Sequence, residues 1–231
     1  MKKIFLLVTL GALALSCSSD SGSGSSKLPS AIALNSGSST TNYSMTYDDN
    51  DRLAVLSRNN GTTANNFAFS YDDGGRINAI AKTGDSSGIT TFSYDSNGRL
   101  SSFTVDGAAP VPVTYSSGTY TVPGPGTNIQ YTLNSRNDLA SVLTTDLSTF
   151  NYDTNKKGIF SAVKGNYQVL GLFMDTNFFF IGSKKPVSTI DAADPANHYV
   201  FTNTFDSDGY LTSSSSTLGG APFATATVTY E

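Results

Sequence analysis

Few side chains in this 231-residue sequence could perform acid–base or nucleophilic chemistry. A Ser-His-Asp triad would have to use the single histidine, His198, which lies in Ala196-Asn197-His198-Tyr199, and no nucleophile-elbow motif is present. A zinc site needs several His or Cys ligands, and the chain has one of each. The sequence therefore predicts no catalytic residue, no metal site and no cofactor site, and it favours a surface loop or strand edge for His198.

The aspartates are the remaining chemical candidates. Asp48-Asp49-Asn50-Asp51 and Asp206-Ser207-Asp208-Gly209 carry oxygen ligands at alternate positions, as a calcium loop does. Neither segment is followed by the bidentate glutamate of such a loop, because the single glutamate is the terminal Glu231. A glycosidase needs two carboxylates in one cleft, one of them with a raised pKa. We interpret the aspartates as turn residues; weak calcium binding at one turn stays an alternative.

These aspartates belong to a recurring segment, whose clearest copy is Tyr94-Asp95-Ser96-Asn97-Gly98-Arg99-Leu100. Before it, in Thr90-Thr91-Phe92-Ser93-Tyr94, bulky residues alternate with small polar ones, which is typical of a strand with one buried face. Asp95 and Gly98 suit a tight turn that ends with a left-handed glycine and a bulge. The segment predicts a β-hairpin in which Asp95 faces Arg99 and Tyr94 faces Leu100.

Copies of this hairpin segment recur along most of the chain. Near matches occupy residues 47–53 and 71–77, and weaker ones occupy residues 133–139, 152–158 and 205–211. A regular spacing of about one hairpin plus a return loop indicates a repeat architecture, in which each unit buries a face against its neighbours. Apolar residues after each turn fall three apart, as in Leu53 and Leu56, which predicts a bulge in the second strand.

The copies resemble the Tyr-Asp repeats of the Rhs and YD-repeat family, and more closely those of short lipoproteins of unknown function from Bacteroidetes. The resemblance covers roughly residues 43–230 and is strongest in the first three copies. It implies a sheet of successive hairpins. Full-length Rhs proteins carry many more repeats, which close into a shell around a toxin segment. This chain has too few copies for such a shell, so the encapsulating function is not expected.

The N-terminus has the layout of a secretory signal. Met1-Lys2-Lys3 precedes an apolar run of about a dozen residues, which is shorter than a membrane span. Cys17 follows Ser16 in a segment that resembles a bacterial lipobox, and this resemblance implies acylation at Cys17; an ordinary signal with an incidental cysteine is the alternative. We expect a signal peptide over residues 1–16, a Ser/Gly-rich tether over 17–30 and one β domain over 31–231.

The predicted domain is all-β, an antiparallel sheet of repeated hairpins with one apolar insertion. Residues 165–182 interrupt the repeat and form the most apolar part of this domain. A sheet buries only one face by itself, so we expect the insertion to cover the other layer, with one short helix near residues 167–174. An exposed ligand groove is the alternative. The proline-rich region of residues 110–125 should hold one degenerate hairpin over residues 113–122.

Charge and composition narrow the function. The net charge is −4 with no basic cluster, which speaks against nucleic acid as a partner. We expect a non-enzymatic outer-membrane lipoprotein that binds a glycan or a protein. Display at the cell surface is one form of this prediction. Tyr47, Tyr71, Tyr94 and Tyr152 recur before the turns and form either a sugar-stacking ladder or part of the core. The alternatives are an assembly component that pairs through a sheet edge and an Asp-dependent hydrolase of extracellular polymers.

Overall fold

The structure, a computed structural model, describes residues 26–124 and 126–231. Cys17, the predicted signal peptide, most of the predicted tether and Pro125 lie outside the described residues. The strands are β1 (Pro29–Ser36), β2 (Ser39–Tyr47), β3 (Leu53–Asn59), β4 (Ala64–Tyr71), β5 (Ile77–Gly84), β6 (Gly88–Tyr94), β7 (Leu100–Val105), β8 (Val111–Pro112), β9 (Thr114–Ser116), β10 (Thr119–Val122), β11 (Ile129–Leu133), β12 (Leu139–Leu143), β13 (Leu147–Tyr152), β14 (Val187–Ala192), β15 (Tyr199–Phe205), β16 (Leu211–Leu218) and β17 (Ala221–Tyr230).

Helical structure is sparse in the described part of the chain. There are 3-10 turns at Gln168–Leu172 and Pro195–Asn197, and one short α-helix, α1, at Phe178–Ile181. None of these helices is long and apolar enough to cross a membrane. The predicted short helix is thus a 3-10 turn beginning at Gln168, followed by α1.

The strands form one antiparallel, nearly closed, barrel-like sheet, which confirms the predicted all-β class. Each strand pairs with the next along the chain from β1 to β8 and again from β9 to β17. Strand β17 then pairs with β1, with Ile32 opposite Val228, so the first and last strands are neighbours. The sheet begins at Pro29, two residues before the boundary that the sequence predicted.

The predicted bulges are present in the second strand of the hairpins. Tyr47 lies opposite Leu53 while Thr46 lies opposite Val55, so Ala54 is the extra residue. The same shift recurs at Tyr71, Tyr94, Leu133 and Phe205. Because one residue is looped out, apolar residues three apart both face the interior, and Leu53 and Leu56 are fully buried.

The weak copy at residues 152–158 does not connect the two strands of a hairpin, so the prediction that it forms a hairpin turn is wrong. Tyr152 pairs with Val187, and the N–H of Asp153 donates to the carbonyl of Pro186 at 2.9 Å, as the first turn residue does to the last in other copies. Residues 154–185 therefore stand where the turn would be. The insertion is longer than the predicted 165–182, since the chain leaves the sheet as soon as the tyrosine-aspartate pair ends.

The insertion fills the space that the sheet encloses, which confirms that it covers the apolar face. Phe160, Tyr167 and Phe178 are at most 1% exposed and pack with strand residues from β1 to β6 and from β16 and β17. Val169 and Phe179 pack on the other side against residues of β10 to β14. A chain segment in contact with both halves of the sheet supplies the second layer that the sheet needs.

The outward face of the sheet is polar. Along β17, Ala226 and Val228 are buried, whereas Thr225, Thr227 and Thr229 are exposed. The same alternation runs along β2, where Tyr43 and Met45 face inward. Along these two strands apolar side chains point to the enclosed core and polar ones point outward, whereas Ile89, Leu147 and Val200 are exposed apolar residues of other strands.

Candidate functional site

In each of the first three turns, one aspartate carboxylate holds the recurring backbone geometry. Asp72 Oδ1 accepts the N–H of Arg76 at 2.9 Å, and Oδ2 lies 2.7 Å from Arg76 Nε. Asp48 and Arg52 repeat these contacts. Hydrogen bonds from arginine lower the pKa of Asp72, so this carboxylate stays ionised. The turn aspartates therefore stabilise hairpins, as the sequence predicted for their residue types.

The third turn follows the same backbone course with one difference. Tyr94 lies opposite Leu100, and Asp95 Oδ1 accepts the N–H of Arg99 at 2.9 Å, as the hairpin prediction requires. The Arg99 guanidinium, however, lies over the ring of Tyr115, 4.2 Å from its centroid. Gly98 has a φ of 76°, the left-handed conformation that the turn needs.

The recurring tyrosines link each hairpin to the one before it. The hydroxyl of Tyr71 donates to the carbonyl of Leu53 at 2.6 Å, and Tyr94 donates to Ile77 at 2.7 Å. Tyr47, Tyr152 and Tyr230 make the equivalent bond to Pro29, Leu139 and Leu211. Burial raises the pKa of Tyr94 to about 12, which keeps its hydroxyl a donor.

Arginines cover the rings of two of these tyrosines. Arg52 lies 4.3 Å from the centroid of Tyr71, and Arg76 lies 4.7 Å from that of Tyr94. The arginine of one hairpin thus stacks on the tyrosine of the next. Of the two interpretations of the tyrosine ladder, the geometry favours the structural one, because all four hydroxyls bond a backbone carbonyl and two of the rings are covered by an arginine.

In both segments that resemble the start of a calcium loop, aspartate carboxylates form ion pairs with a lysine or an arginine. Lys27 Nζ lies 2.7 Å from an oxygen of Asp206 and 2.7 Å from one of Asp208. Asp48 pairs with Arg52 at 2.7 Å. Among the described residues there is no group of three or more side chains that could hold a metal ion. The lysine fastens the chain just before β1 to the turn between β15 and β16.

His198 lies at the surface, beside an aspartate. Its Nδ1 is 3.0 Å from Asp191 Oδ1, and the side chains are 38% and 47% exposed. The amide of Asn151 donates to the other carboxylate oxygen of Asp191 at 2.8 Å. An exposed pair of this kind is a surface contact, and the histidine follows the short Pro195–Asn197 turn as the loop prediction expected.

Three buried polar contacts were not visible in the sequence. Gln168 is fully buried; its Oε1 accepts the N–H of Leu139 at 2.8 Å and its Nε2 donates to the carbonyl of Phe179 at 3.0 Å. Asp138 is 2% exposed, accepts the N–H of Lys184 at 2.8 Å, and keeps Oδ2 without a protein partner. Burial raises the pKa of Asp138. The only available signal was an aspartate at the arginine position of a repeat.

A cleft of about 350 Å³ opens at the end of the sheet where the turns lie. We call it the turn-end cleft. Its wall includes the rings of Tyr94, Tyr120 and Tyr131, and its polar groups come from Arg76, Asn137, Asn166 and Lys184. Tyr120 and Tyr131 stack in parallel, with centroids 4.7 Å apart and planes inclined by 4°. This volume lies within the range of small-molecule sites, roughly 300–1,000 Å³.

Comparisons with known proteins concern the fold. No protein-family model and no curated protein matches the chain. A crystal structure of a porin-like protein from Bacteroides uniformis is 15% identical, covers 88% of this chain and 98% of its own, and has a TM-score of 0.55. At this identity the likeness shows a shared fold. A porin-like protein from Bacteroides vulgatus (10% identity, 89% and 99% coverage, TM-score 0.47) is too distant to add an argument.

The turn-end cleft combines parts that the sequence placed far apart. Tyr94 was predicted as a ladder residue, and the hairpin holding Tyr120 was predicted as a degenerate one. Lys184 and Asn166 come from the insertion, whose position inside the sheet brings them beside these rings. No Asp or Glu occurs among the described lining residues, so the wall of the cleft combines aromatic rings, amides and cations. Tyr131, the inner ring of the stacked pair, is 2% exposed.

Proposed function

We propose that this chain is a non-enzymatic, outer-membrane-type lipoprotein that binds a saccharide in the turn-end cleft. The observation that carries the proposal is the combination, in one cleft, of stacked tyrosines with Asn137, Asn166 and Lys184. Sugars present apolar C–H faces that pack on aromatic rings and hydroxyl groups that need polar partners. A concave site with aromatic walls and a few polar groups meets both needs.

The polar outward residues of the sheet support the proposal that the domain lies in water, held at the membrane by a tether. In a sheet inserted in a bilayer, the outward side chains form an apolar band flanked by aromatic residues. Here the outward residues of β17 are Thr225, Thr227 and Thr229, and the apolar residues point inward. We therefore propose that membrane attachment is through acyl chains on Cys17 and not through the sheet.

The assembly alternative is less favoured by the sheet edges. The unpaired edges belong to β8, which is Val111–Pro112, and to β9, which is Thr114–Ser116. Very short edge strands and an edge proline are the features with which proteins block pairing to another chain. The N–H of Val113, the residue between these two strands, also donates to the carbonyl of Ser101 in β7 at 2.8 Å.

A glycan array with the full chain tests the saccharide proposal. We expect binding that Lys184→Gln and Tyr120→Ala weaken. Lys164→Gln is the matched control, because Lys164 belongs to the same insertion but has a side chain 66% exposed outside the cleft lining. Circular dichroism would verify that each variant folds. Absence of any glycan hit, or equal loss in Lys164→Gln and Lys184→Gln, would count against the cleft as the binding site.

Intact-mass analysis and fractionation test the anchor. We expect the native protein to carry acyl mass and to sediment with the outer membrane, and Cys17→Ala to abolish both. Protease treatment of intact cells then tests surface display. An unacylated, freely released wild-type protein would contradict the anchor while leaving the cleft proposal open to the array.

A further inference from the structure

A second cavity of about 240 Å³ lies at the opposite end of the sheet. Ser87 and Asp106, which belong to the return loops after β5 and β7, line this cavity, whereas turn residues line the turn-end cleft. We call it the return-loop cavity. Phe67, Lys82, Val105, Phe173 and Met174 contribute to its lining.

Lys82 is an interior-facing cation. It lies opposite Phe67 in the β4–β5 pair, and Phe67 is 5% exposed with its ring in the core. Residues directly opposite each other in an antiparallel pair project to the same face. Among the described residues, no carboxylate oxygen lies within 4.0 Å of Lys82 Nζ, so Lys82 forms no ion pair there.

The other interior cation at this end has a partner. Arg58 Nε lies 2.9 Å from Asp175 Oδ2, and the Asp175 side chain is 8% exposed. Asp106, which shares the cavity with Lys82, uses Oδ1 to accept the N–H of Ile89 at 2.7 Å. Lys82 is thus a cation of this cavity that forms no ion pair with a described carboxylate, including that of Asp106.

The lining also includes the polar residues Ser87, Thr90 and Asp106, and its apolar side chains are incompletely covered. Val105 lies two residues from Phe103, faces inward with it, and is 46% exposed. Met174 and Phe173 are half-buried in the cavity wall. The Phe173 ring meets Phe92 and Phe103 edge-on, with centroids 5.4 and 5.1 Å apart, and it also lines the turn-end cleft. One side chain thus forms a wall of both cavities.

We propose that the return-loop cavity binds an anionic amphiphile of the medium-chain carboxylate class. The carboxylate pairs with the Lys82 ammonium, and the alkyl chain lies against Val105 and Met174 and ends at Phe173. An apolar cavity of about 150 Å³ already suffices to bind benzene. A lysine that merely extends to solvent would explain the charge, but not the uncovered apolar side chains behind it.

Calorimetric titration of the full chain with sodium octanoate tests this site. We expect measurable binding that Lys82→Gln weakens by about tenfold or more, since hydrogen bonds to charged groups contribute about 1.5–3 kcal/mol. Octanol, which has the same chain without the charge, should bind wild type and Lys82→Gln equally. Lys164→Gln is the matched control and should bind octanoate as wild type does.

A fluorescent reporter locates the ligand. The chain has no tryptophan, so Met174→Trp supplies a single reporter in the cavity wall, and its emission should change with octanoate. No heat of binding, or equal affinity in wild type and Lys82→Gln, would overturn the proposal. Loss of octanoate binding in Lys184→Gln instead would also overturn it, because that result places the ligand in the turn-end cleft. Saccharide binding is measured separately and does not depend on the outcome.

Discussion

The first three hairpins and the fourth reach the same backbone geometry with different side chains. In the turns at Asp48, Asp72 and Asp95, an aspartate accepts the N–H of the arginine four residues later. In the fourth copy Asn134 holds the aspartate position, and its Oδ1 accepts the N–H of Asp138 at 3.1 Å. The hydrogen bond is retained, but the charge pair that accompanies it at Asp48 and Asp72 is replaced by a buried aspartate.

Two adjacent residues of the insertion each accept a backbone N–H, one from the first copy of the hairpin segment and one from the fourth. The hydroxyl of Tyr167 accepts the N–H of Leu53 at 2.9 Å, and Gln168 Oε1 accepts the N–H of Leu139 at 2.8 Å. Leu53 and Leu139 occupy equivalent positions beside the bulges of the first and fourth copies. In these two copies, the buried N–H beside the bulge thus finds its acceptor in the insertion rather than in a neighbouring strand.

The largest expected effect is a loss of stability when the buried leucine beside the bulge is truncated in the first or the fourth copy. Leu53→Ala and Leu139→Ala each remove a side chain with 0% exposure. We expect each to lower the free energy of unfolding by about 2–5 kcal/mol, because a cavity replaces a buried side chain. Denaturant unfolding of the two variants measures this. A loss at only one position would show that one half of the sheet carries the stability.

The second prediction separates the two insertion contacts. Gln168→Leu leaves the Leu139 N–H and the Phe179 carbonyl without partners, at about 1–3 kcal/mol for each buried group. Tyr167→Phe removes the acceptor of the Leu53 N–H and the donor to the Lys164 carbonyl, and it leaves the Tyr71 hydroxyl with its bond to the Leu53 carbonyl. It should destabilise less, because Lys164 is exposed and the aromatic ring is retained. Tyr199→Phe, in a tyrosine outside these contacts, is the control. Equal unfolding free energies for the Gln168 and Tyr167 variants would contradict the ranking.

The third prediction uses the opposite pKa shifts of two aspartates. Burial raises the pKa of Asp138, so the free energy of unfolding falls as pH rises from the unfolded value of about 3.9 through the folded one. Asp138→Asn should therefore raise the melting temperature at pH 7, and this gain should disappear in acid. Asp72 has a lowered pKa, and its stabilisation is lost as pH falls through the folded value. Asp72→Asn should accordingly be destabilising at pH 7 and neutral in acid.

The smallest expected effect concerns the stacked arginines. Arg76→Gln removes the cation over Tyr94 and the pair with Asp72, both at the surface. We expect a slight decrease in melting temperature, smaller than that of Tyr167→Phe, because exposed charge pairs contribute little. Arg136→Gln, in the exposed turn of the fourth copy, should leave the melting temperature unchanged. A decrease of similar size in both variants would indicate a general charge effect.

The hairpins were predictable because their causes are local. Aspartate, asparagine and glycine fix a turn within a few residues, and alternation fixes the facing of a strand. The three-residue spacing of Leu53 and Leu56 even indicated the bulge, since an extra residue is the one way to bury both in a strand. Residues 152–158 misled the same reasoning, because Tyr152 and Asp153 obey the local pattern while their strand partner begins at Val187.

The sequence by itself determined an antiparallel sheet of hairpins, a structural use of the turn aspartates and an apolar segment that needed covering. Only the tertiary structure decided that β1 joins β17, that the insertion lies inside the sheet, and that Lys82 and Phe173 meet in one cavity. Turns and bulges depend on neighbours in sequence, whereas closure and burial depend on which distant segments meet. The periodicity of the sequence does not predict these long-range contacts, and both the turn-end cleft and the return-loop cavity depend on them.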